Sequence, residues 1–357
     1  MRILSNDEVE RLLTMPECIA VLEEMYRDYA NEQALHVPRI DSLSPSAEPG
    51  AYYAFKQMGG VWPRRRIQAL RINSDVITHP IVAGTARRVK QPKADGRWVG
   101  LVFLFSTDTG ALLAVMPDGV MQRLRVGAAN GIALNHLARE DVRTLAIIGS
   151  GWQAGGQLMA ALATRAFQEV RVFSPRAERR EAFVAEATTR HPGVVIRSVD
   201  SAEACVDGAD VIMAATSSMV RVLEPAWLTP GVHVSCIKAQ EVDQAVLDAC
   251  DRVVVHATAQ PKQSDNVLPG TPNVPSGQGR GWWNAPGGRF AEYADLAQLV
   301  AGRVPGRSRL AEITCFVNNV GIGLQFAAAG ALALEKARAA GVGRELPDDW
   351  FSETVHP

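Results

Sequence analysis

The sequence predicts an α/β protein that combines a doubly wound parallel sheet with an α+β domain built from both chain ends. Between residues 142 and 256, short apolar strands alternate with helices, which is typical of a parallel sheet covered on both faces. Before residue 120, strands follow one another through tight turns, which indicates an antiparallel sheet. The strand and helix after residue 310 come when the parallel sheet is already complete, so we expect them to fold back on the first domain. The predicted domains are 1–119 with 311–357, and 120–310.

The α+β part begins with two helices and continues as strands. Ser5 with Glu8, and Thr14 with Glu17, have the spacing of a capping box, in which side chains satisfy free amides at a helix start. Strands are predicted over 52–60, 67–75, 99–105 and 111–116, the last two joined by a turn at 108–110. A helix over 120–137 then carries small residues on one face and leads into the second domain.

A glycine-rich turn after residue 148 predicts a dinucleotide site. An apolar run over 145–148 indicates a buried strand, and helical spacing resumes after the turn. Glycine without a side chain lets the backbone approach a pyrophosphate, and the amides at the helix start point at its charge. A purely structural turn is the alternative. The predicted cofactor contacts here are Gly149, Ser150, Gly151, Trp152, Gln153 and Ala154.

The end of the next strand, at residue 174, predicts which dinucleotide is bound. An acidic residue there would accept hydrogen bonds from the ribose of NAD, but this chain has Ser174, followed by Arg176 and Arg180. Because guanidinium groups match phosphate, the pattern favours the 2′-phosphate of NADP, although NAD is possible. The alternative is a solvated basic first turn of a helix. Ala215, Thr216 and Ser217 follow the third strand, at the edge where such sheets bind ligands.

The later segments complete the pattern. Strands are predicted over 232–237, 252–255 and 313–317, and helices over 243–249, 291–301 and 324–340. A segment over 269–288, rich in Gly, Pro and Asn, contains Trp282 and Trp283. It is predicted as a loop, with a lid or a subunit contact as the alternative.

Composition excludes several classes of function. The net charge of −1 over 357 residues gives no reason to expect nucleic acid or an anionic membrane as a partner. No apolar run reaches the length of a membrane span, and the first residues do not resemble a signal peptide. The five cysteines are scattered, which is typical of reduced thiols in a cytoplasmic protein. No cluster has metal-ligand spacing.

Several segments together resemble one family. They are the Val-Pro-Arg at residues 37–39, the hairpin at 108–110, Met-Pro-Asp-Gly at 116–119, the Leu-Arg-Val-Gly-Ala-Ala at 124–129, the glycine turn, and the Ala-Ala-Thr-Ser at 214–217. This combination resembles the ornithine cyclodeaminase/μ-crystallin family over most of the chain. The resemblance implies a homodimer, a Rossmann domain, and a substrate and dimerisation domain formed by both chain ends. It also implies reactions at an imine next to a carboxylate.

The resemblance also implies roles for single residues. Arg39 and Arg125 match arginines that hold the substrate carboxylate, and Arg71 stands where the family has an active-site lysine. Arginine does not readily lose a proton, so an acid/base role for Arg71 does not carry over. The family's catalytic aspartate segment is missing between Cys236 and Glu241. Late in the chain, Asn318, Asn319 and Gln325 replace the family's more usual lysine, serine and aspartate.

The sequence therefore predicts an NADP-dependent oxidoreductase that reduces a small imino acid or 2-oxo acid, or runs the reverse oxidation. Arg39, Arg71 and Arg125 would hold the carboxylate, and Lys56 is a candidate proton donor. The alternatives for single residues are an edge-strand arginine at 39 and a surface lysine at 56. The alternative functions are an ornithine cyclodeaminase and a non-catalytic, NADPH-dependent binding protein. A homodimer with an apolar interface from the first domain is expected, and the small-residue helices around 127–131 and 324–340 suggest it.

Overall fold

Two large sheets organise the chain in the computed structural model, which describes residues 1–82, 84–258, 264–272 and 289–355. Trp282 and Trp283 lie outside these residues. In chain order, the first part contains β1 (Arg2–Ile3), α1 (Asn6–Leu12), α2 (Met15–Ala30), β2 (Leu35–Pro45), β3 (Tyr52–Trp62), β4 (Ile67–Thr78), β5 (Ile81–Val82), β6 (Thr85–Ala86), β7 (Val89–Gln91), β8 (Val99–Ser106), β9 (Leu112–Pro117) and α3 (Gly119–Leu137). Both predicted capping boxes are present, at Ser5 and Thr14.

The second part runs from the glycine turn to the chain end. It contains β10 (Thr144–Ile148), α4 (Trp152–Thr164), β11 (Glu169–Phe173), α5 (Ala177–Arg190), β12 (Val195–Ser198), α6 (Ala202–Val206), β13 (Val211–Ala214), β14 (His233–Cys236), α7 (Gln244–Asp248), β15 (Arg252–Val255), β16 (Ser264–Val267), β17 (Ala294–Asp295), α8 (Leu296–Val300), β18 (Thr314–Val317), α9 (Leu324–Ala340) and β19 (Arg344–Glu345).

The first sheet has the order β16-β2-β3-β4-β8-β9-β1-β19, with β7 pairing with β4 beside β8. Its core, from β2 through β9, is antiparallel. Helix α9 packs on β3, β4 and β8, and α2 packs on α9 in turn. One face of the sheet is therefore covered by helices from both chain ends.

The second sheet is parallel throughout, in the order β12-β11-β10-β13-β14-β18-β15-β17. The order reverses direction between β10 and β13, so the carboxyl ends of these two strands border the crevice where doubly wound sheets bind ligands. The glycine turn follows β10 and residues 215–217 follow β13. The predicted Rossmann-type sheet is present.

Two strands contradict the predicted domain boundary at 310/311. β18 lies between β14 and β15 in the parallel sheet, although the predicted boundary assigns it to the first domain. Its four residues are all buried, and a strand buried on both faces is stable only in the interior of a sheet. Conversely, β16 leaves the second part and adds to the edge of β2.

The helix predicted over 291–301 is shorter than expected. A 3₁₀ turn over Arg289–Glu292 precedes β17, and the helix proper is α8. Asp295 accepts a hydrogen bond from the Gln298 amide and forms a capping box with that residue, so the helix begins there.

The small-residue faces of α3 and α9, which suggested a dimer in the sequence, are packed within the chain and are not available for an interface. The apolar dimer interface expected from the first domain stays a prediction. A side chain at Gly127 would lie 2.5 Å from the Gly156 carbonyl oxygen, because α3 and α4 approach closely. At Gly131 it would meet Ile19 of α2 at 2.9 Å. The corresponding face of α9 is buried as well.

The outer face of the first sheet is unusually apolar for a face that no described helix covers. Residues alternate along β4 and β8, and the outward set is only half-buried. This set includes Phe55, Leu70, Ile72, Leu101, Phe103, Phe105 and Val115. An antiparallel sheet with one face in water normally carries polar residues there, so this face has the composition of a contact surface.

No helix in the described part of the chain is both long enough and apolar enough to span a bilayer.

Candidate active site

Four polar side chains project from the covered face of β3 and β4. Because side chains alternate along a strand, Arg71, Asn73 and Asp75 share one face of β4, and Lys56 on β3 is paired in register with Asn73. All four are at most 5 % exposed. Polar groups at core positions cost stability unless they are paired, so a buried patch of four such groups indicates a functional site.

Arg71 and Arg125 form a buried pair of guanidinium groups. Arg71 Nε donates to Asp118 Oδ2 at 2.6 Å, and Arg125 Nη1 donates to Gln325 Oε1 at 3.0 Å. Both groups lie against the ring of Phe326, at 5.4 and 5.2 Å from its centroid. Burial, and next the neighbouring Arg71, lower the pKa of Arg125 to about 10.

These two arginines still have free donors. Arg71 Nη2 and Arg125 Nε are buried and have no hydrogen-bond partner among the described residues. A buried donor without an acceptor is rare and costly. One Asp118 carboxylate faces two guanidinium groups, so the site is complementary to a further anion such as a substrate carboxylate.

A chain of buried hydrogen bonds positions Arg125. Gln325 accepts from Arg125 and donates through Nε2 to the Tyr26 hydroxyl at 2.9 Å. That hydroxyl is hydrogen-bonded to His256 Nε2, and His256 Nδ1 contacts the Val320 carbonyl oxygen. Burial lowers the pKa of His256 to about 3, so the imidazole is neutral, donates to Val320 and accepts from Tyr26. Sequence reasoning found neither Tyr26 nor His256, because three distant segments meet here.

Lys56 is buried and not a surface lysine. Its Nζ lies 2.8 Å from Asp75 Oδ2, and the Lys90 Nζ lies 3.0 Å from the same oxygen. Burial, and next the charge of Arg88, lower the pKa of Lys56 to about 7 against the opposing effect of Asp75. Burial alone would raise the pKa of Asp75, but the two ammonium groups outweigh it and lower that pKa. Lys56 can therefore hold or release a proton near neutral pH.

Residues 79–82 and 84–91 form a flap that reaches from the first sheet to the second. It contains the paired strands β5 and β6, and Arg87 forms an isolated backbone bridge with Ser218, beyond the end of β13. Lys238, which follows β14, donates to the Ser218 carbonyl oxygen. The flap also carries Arg88, whose Nε and Nη2 are buried without a hydrogen-bond partner in the described part of the chain.

Among the described residues, Arg39 shares no hydrogen-bond partner with Arg71 or Arg125. Its Nε donates to Asp41 Oδ1 at 2.6 Å, and its Nη2 contacts the other carboxylate oxygen. Asp41 is fully buried and the Arg39 side chain is 22 % exposed. Among the described residues the guanidinium donates only to Asp41, so a carboxylate-binding role for Arg39 stays a prediction.

The predicted cofactor residues meet at the crevice of the second sheet. Gly149 has φ +125°, and a side chain there would lie 2.2 Å from the Ala215 carbonyl oxygen, so only glycine fits. Gly151 is the N-cap of α4 and faces open space. Ser150 Oγ lies 2.8 Å from Ser174 Oγ. The backbone at the helix start is therefore accessible to a pyrophosphate, as a dinucleotide requires.

The basic residues after β11 have different environments. Arg180 is buried and donates to the Ser174 carbonyl oxygen at 2.9 Å and to Asp200 at 2.8 Å. It therefore orders the turn, and a phosphate-binding role for Arg180 stays a prediction. Arg176, the N-cap of α5, is exposed and available. Trp152 is 51 % exposed and stacks on Arg123 at 4.2 Å.

Glu241 is a residue of the crevice that the sequence prediction did not select. It is fully buried, and its carboxylate accepts hydrogen bonds from the Thr216 amide and from the Ile237 amide at 2.9 Å. Burial raises its pKa. This single carboxylate thus joins the loops that follow β13 and β14. In the sequence, the feature that indicates this residue is an acid three positions after Lys238.

Within residues 1–82, 84–258, 264–272 and 289–355, no group of three or more His, Cys, Asp or Glu side chains is placed to hold a metal ion.

A buried arginine pair beside a Rossmann-type crevice agrees with the comparison to known families. The model of the ornithine cyclodeaminase/mu-crystallin family matches residues 68–341, which is most of the chain. The chain belongs to this family. Both the family and the fold class were predicted correctly.

Relatives in the family match along their whole length. The Delta(1)-pyrroline-2-carboxylate reductase of Bacillus thuringiensis subsp. konkukian is 29 % identical over 97 % of this chain and 99 % of its own. The alanine dehydrogenase of Archaeoglobus fulgidus is 28 % identical over 96 % and 98 %. An archaeal alanine dehydrogenase dimer with bound NAD has a TM-score of 0.77 at 26 % identity, covering 97 % of this chain and 99 % of that one. These activities agree with the predicted oxidoreductase.

The residues at which this chain differs from the pattern expected of the family make structural contacts. Lys238 follows β14 and donates to the Ser218 carbonyl oxygen, and the buried Glu241 accepts from the Ile237 amide. Asn318 donates to Asn130 Oδ1 at 2.7 Å, and Asn130 donates to the Ser235 hydroxyl, so Asn318 links β18 to α3 and β14. Asn319 accepts from the His256 amide at 3.1 Å. Both asparagines are engaged in structural contacts.

Proposed function

We propose that the protein is a nicotinamide-dependent oxidoreductase that reduces a small 2-imino acid or 2-oxo acid, or catalyses the reverse oxidation. The observation that carries this proposal is the buried pair of Arg71 and Arg125, since each has a donor with no acceptor among the described residues. Beside them lies Lys56, whose pKa is lowered to about 7. The reductase and dehydrogenase relatives support the same chemistry. A bound nicotinamide cofactor would supply the hydride.

In this mechanism the chain's own groups bind, orient and protonate. Arg71 Nη2 and Arg125 Nε take the substrate carboxylate, which satisfies both buried donors. The tyrosine, histidine and glutamine chain behind Arg125 keeps its guanidinium fixed during the reaction. Lys56, held by Asp75, delivers a proton to the nitrogen or oxygen at carbon 2 as the hydride arrives there. Gly149, Ser150, Gly151, Thr216 and Ser217 would hold the cofactor.

The alternatives have less support. A deaminating cyclase needs a carboxylate to handle the amine of ornithine, and the acid nearest to that position, Glu241, is occupied by two backbone amides. A binding protein without catalysis needs no lysine with a pKa near 7. A reductase uses both the free arginine donors and the titratable lysine.

The first prediction concerns the reaction. Purified protein with NADPH should reduce preformed cyclic imino acids, or 2-oxo acids with ammonium, and should release no ammonia from L-ornithine with NAD or NADP. Arg125→Ala should lower kcat/KM for reduction by about 100-fold or more, because a buried charge-assisted contact is lost. Absorbance at the reduced nicotinamide band and an ammonia assay measure the two activities. Ammonia release that survives in Arg125→Ala would overturn both the reaction and the site.

The second prediction concerns Lys56 as proton donor. A donor acts only while protonated, so kcat/KM for reduction should fall as the pH rises through about 7. In Lys56→Arg the side chain stays protonated, so this fall should disappear while the rate drops about 100-fold. Lys93→Met, which changes an exposed lysine, is the matched control and should keep the original profile. An unchanged profile in Lys56→Arg would remove Lys56 from the mechanism.

The third proposal is a preference for NADP. No acid stands at the end of β11, the hydroxyls of Ser150 and Ser174 face one another, and Arg176 is exposed beside them. The dissociation constant for NADPH should therefore be lower than that for NADH. Arg176→Ala should weaken NADPH binding about tenfold and leave NADH binding unchanged, because only the 2′-phosphate loses a partner. Fluorescence titration measures both, with the exposed Arg338→Ala as control. Tighter NADH binding by the parent protein contradicts the proposal.

The fourth proposal is a homodimer formed through the outer face of the first sheet, since no helix in the described part of the chain covers this apolar face. Light scattering should give twice the 38.5 kDa chain mass at low micromolar concentration. Phe103→Asp, at the centre of this face, should yield monomers because it buries a charge in the contact. Leu310→Asp changes an exposed apolar residue elsewhere and should leave the dimer intact. A monomeric parent protein, or a Phe103→Asp dimer as tight as the parent, speaks against this interface. The cytoplasmic location stays a prediction.

A further inference from the structure

The flap adds more positive charge to the proposed substrate site than one substrate carboxylate can neutralise. Five cationic side chains belong to this site or to the flap beside it: Lys56, Arg71, Arg88, Lys90 and Arg125. The described carboxylates that pair with them are Asp75 and Asp118. With all seven groups ionised, the cations exceed the carboxylates by three. Lys238, near the same flap, is balanced by Glu241.

Arg88 is the cation that the mechanism leaves without a role. It makes no hydrogen bond or ion pair with any described residue, although its Nε and Nη2 are buried. It lies between Arg87, which bridges to Ser218 after β13, and Val89, which pairs with Thr78 of β4, so it stands between the two sheets. Its charge also lowers the pKa values of Lys56, Lys238 and His79. Lys90, two residues further along the flap, ends beside Asp75 and close to the charges of Arg71 and Asp118.

The donors belong to two separate parts of the site. Arg71 and Arg125 lie against Phe326, whereas Arg88 belongs to the flap, between its contacts with β4 and with Ser218. After a monocarboxylate binds to the arginine pair, the buried Nε and Nη2 of the half-buried Arg88 still have no partner among the described residues, which is unfavourable. A second anionic group on the same substrate removes that cost. Guanidinium geometry favours a planar carboxylate as this group.

We propose that the substrate is a 2-imino or 2-oxo dicarboxylic acid, whose second carboxylate is bound by Arg88 with Lys90 beside it. This inference rests on the proposed function and names its substrate class. Because Arg87 and Arg88 belong to the flap that bridges to Ser218, binding the second carboxylate also holds the flap across the pocket. A substrate without that group leaves the flap donors unpaired and is rejected.

The test compares acids that differ only in the second carboxylate. Oxaloacetate is paired with 2-oxobutanoate, and 2-oxoglutarate with 2-oxopentanoate, each with ammonium and NADPH. In at least one pair the diacid should have a kcat/KM about 100-fold higher than the monoacid. Below pH 7, where Lys56 is protonated with or without the charge of Arg88, Arg88→Met should lower kcat/KM for that diacid about 100-fold, mainly through KM, and change the monoacid by less than about threefold. Arg88→Lys should recover part of the loss. Arg97→Met, an exposed arginine beyond the flap, is the matched control.

A binding measurement without turnover separates this inference from the proposed function. Succinate should raise the melting temperature of the NADPH-saturated protein more than butyrate does, and Arg88→Met should abolish the difference. The parent melting temperature without acid shows whether Arg88→Met is folded. Monoacids reduced as well as diacids, with Arg88→Met unchanged, would falsify the inference and leave the reductase intact. If no acid of either kind is reduced, the proposed function fails, and equal shifts with succinate and butyrate then overturn the second carboxylate site as well.

Discussion

The ion pair between Arg71 and Asp118 is the interaction on which the site depends. Asp118 ends the last long strand of the first sheet and is the N-cap residue of α3, the helix that carries Arg125. Its carboxylate accepts from Arg71 and from Asn73 Nδ2 at 3.2 Å. Gly100 on β8 makes room for Asp118 and Asn73, because a side chain at position 100 would overlap both. One carboxylate thus joins β4, β8 and α3. It partly neutralises Arg71 while leaving one guanidinium donor free for a substrate.

Helix α3 transmits this arrangement to the second sheet. It packs against α2 and α4 at once and also contacts β14. Glycines at 127 and 131 permit the approach, since any side chain there would overlap α4 or α2. Helix α3, which carries Arg125, is therefore packed directly on α4, the helix that follows the glycine turn. This packing ties the position of the arginine to that of the predicted cofactor site, and hydride transfer depends on such positioning.

The flap and Glu241 complete the pocket from the other side. Glu241 holds the loops after β13 and β14, and Lys238 of the second loop contacts the Ser218 carbonyl, next to the flap bridge at Arg87. The loop after β14 thus contributes a lysine beside the flap and a structural acid whose carboxylate is occupied by two backbone amides.

The sequence by itself determined the parallel sheet, the glycine turn and the capping boxes, because these depend on local spacing and on residue type. The roles of Arg71 and Arg125 came from the resemblance to the family and stay predictions. Prediction from the sequence was wrong where burial and sheet neighbours decide. β18 belongs to the second sheet because a strand of four buried residues needs partners on both sides, which no local pattern encodes. The burial of Lys56, the engagement of Arg180 by Asp200 and the free donors of Arg88 depend on side chains from distant segments. Only the tertiary structure sets these desolvation and pairing energies, and they distinguish a buried lysine that titrates near neutral pH from a solvated one.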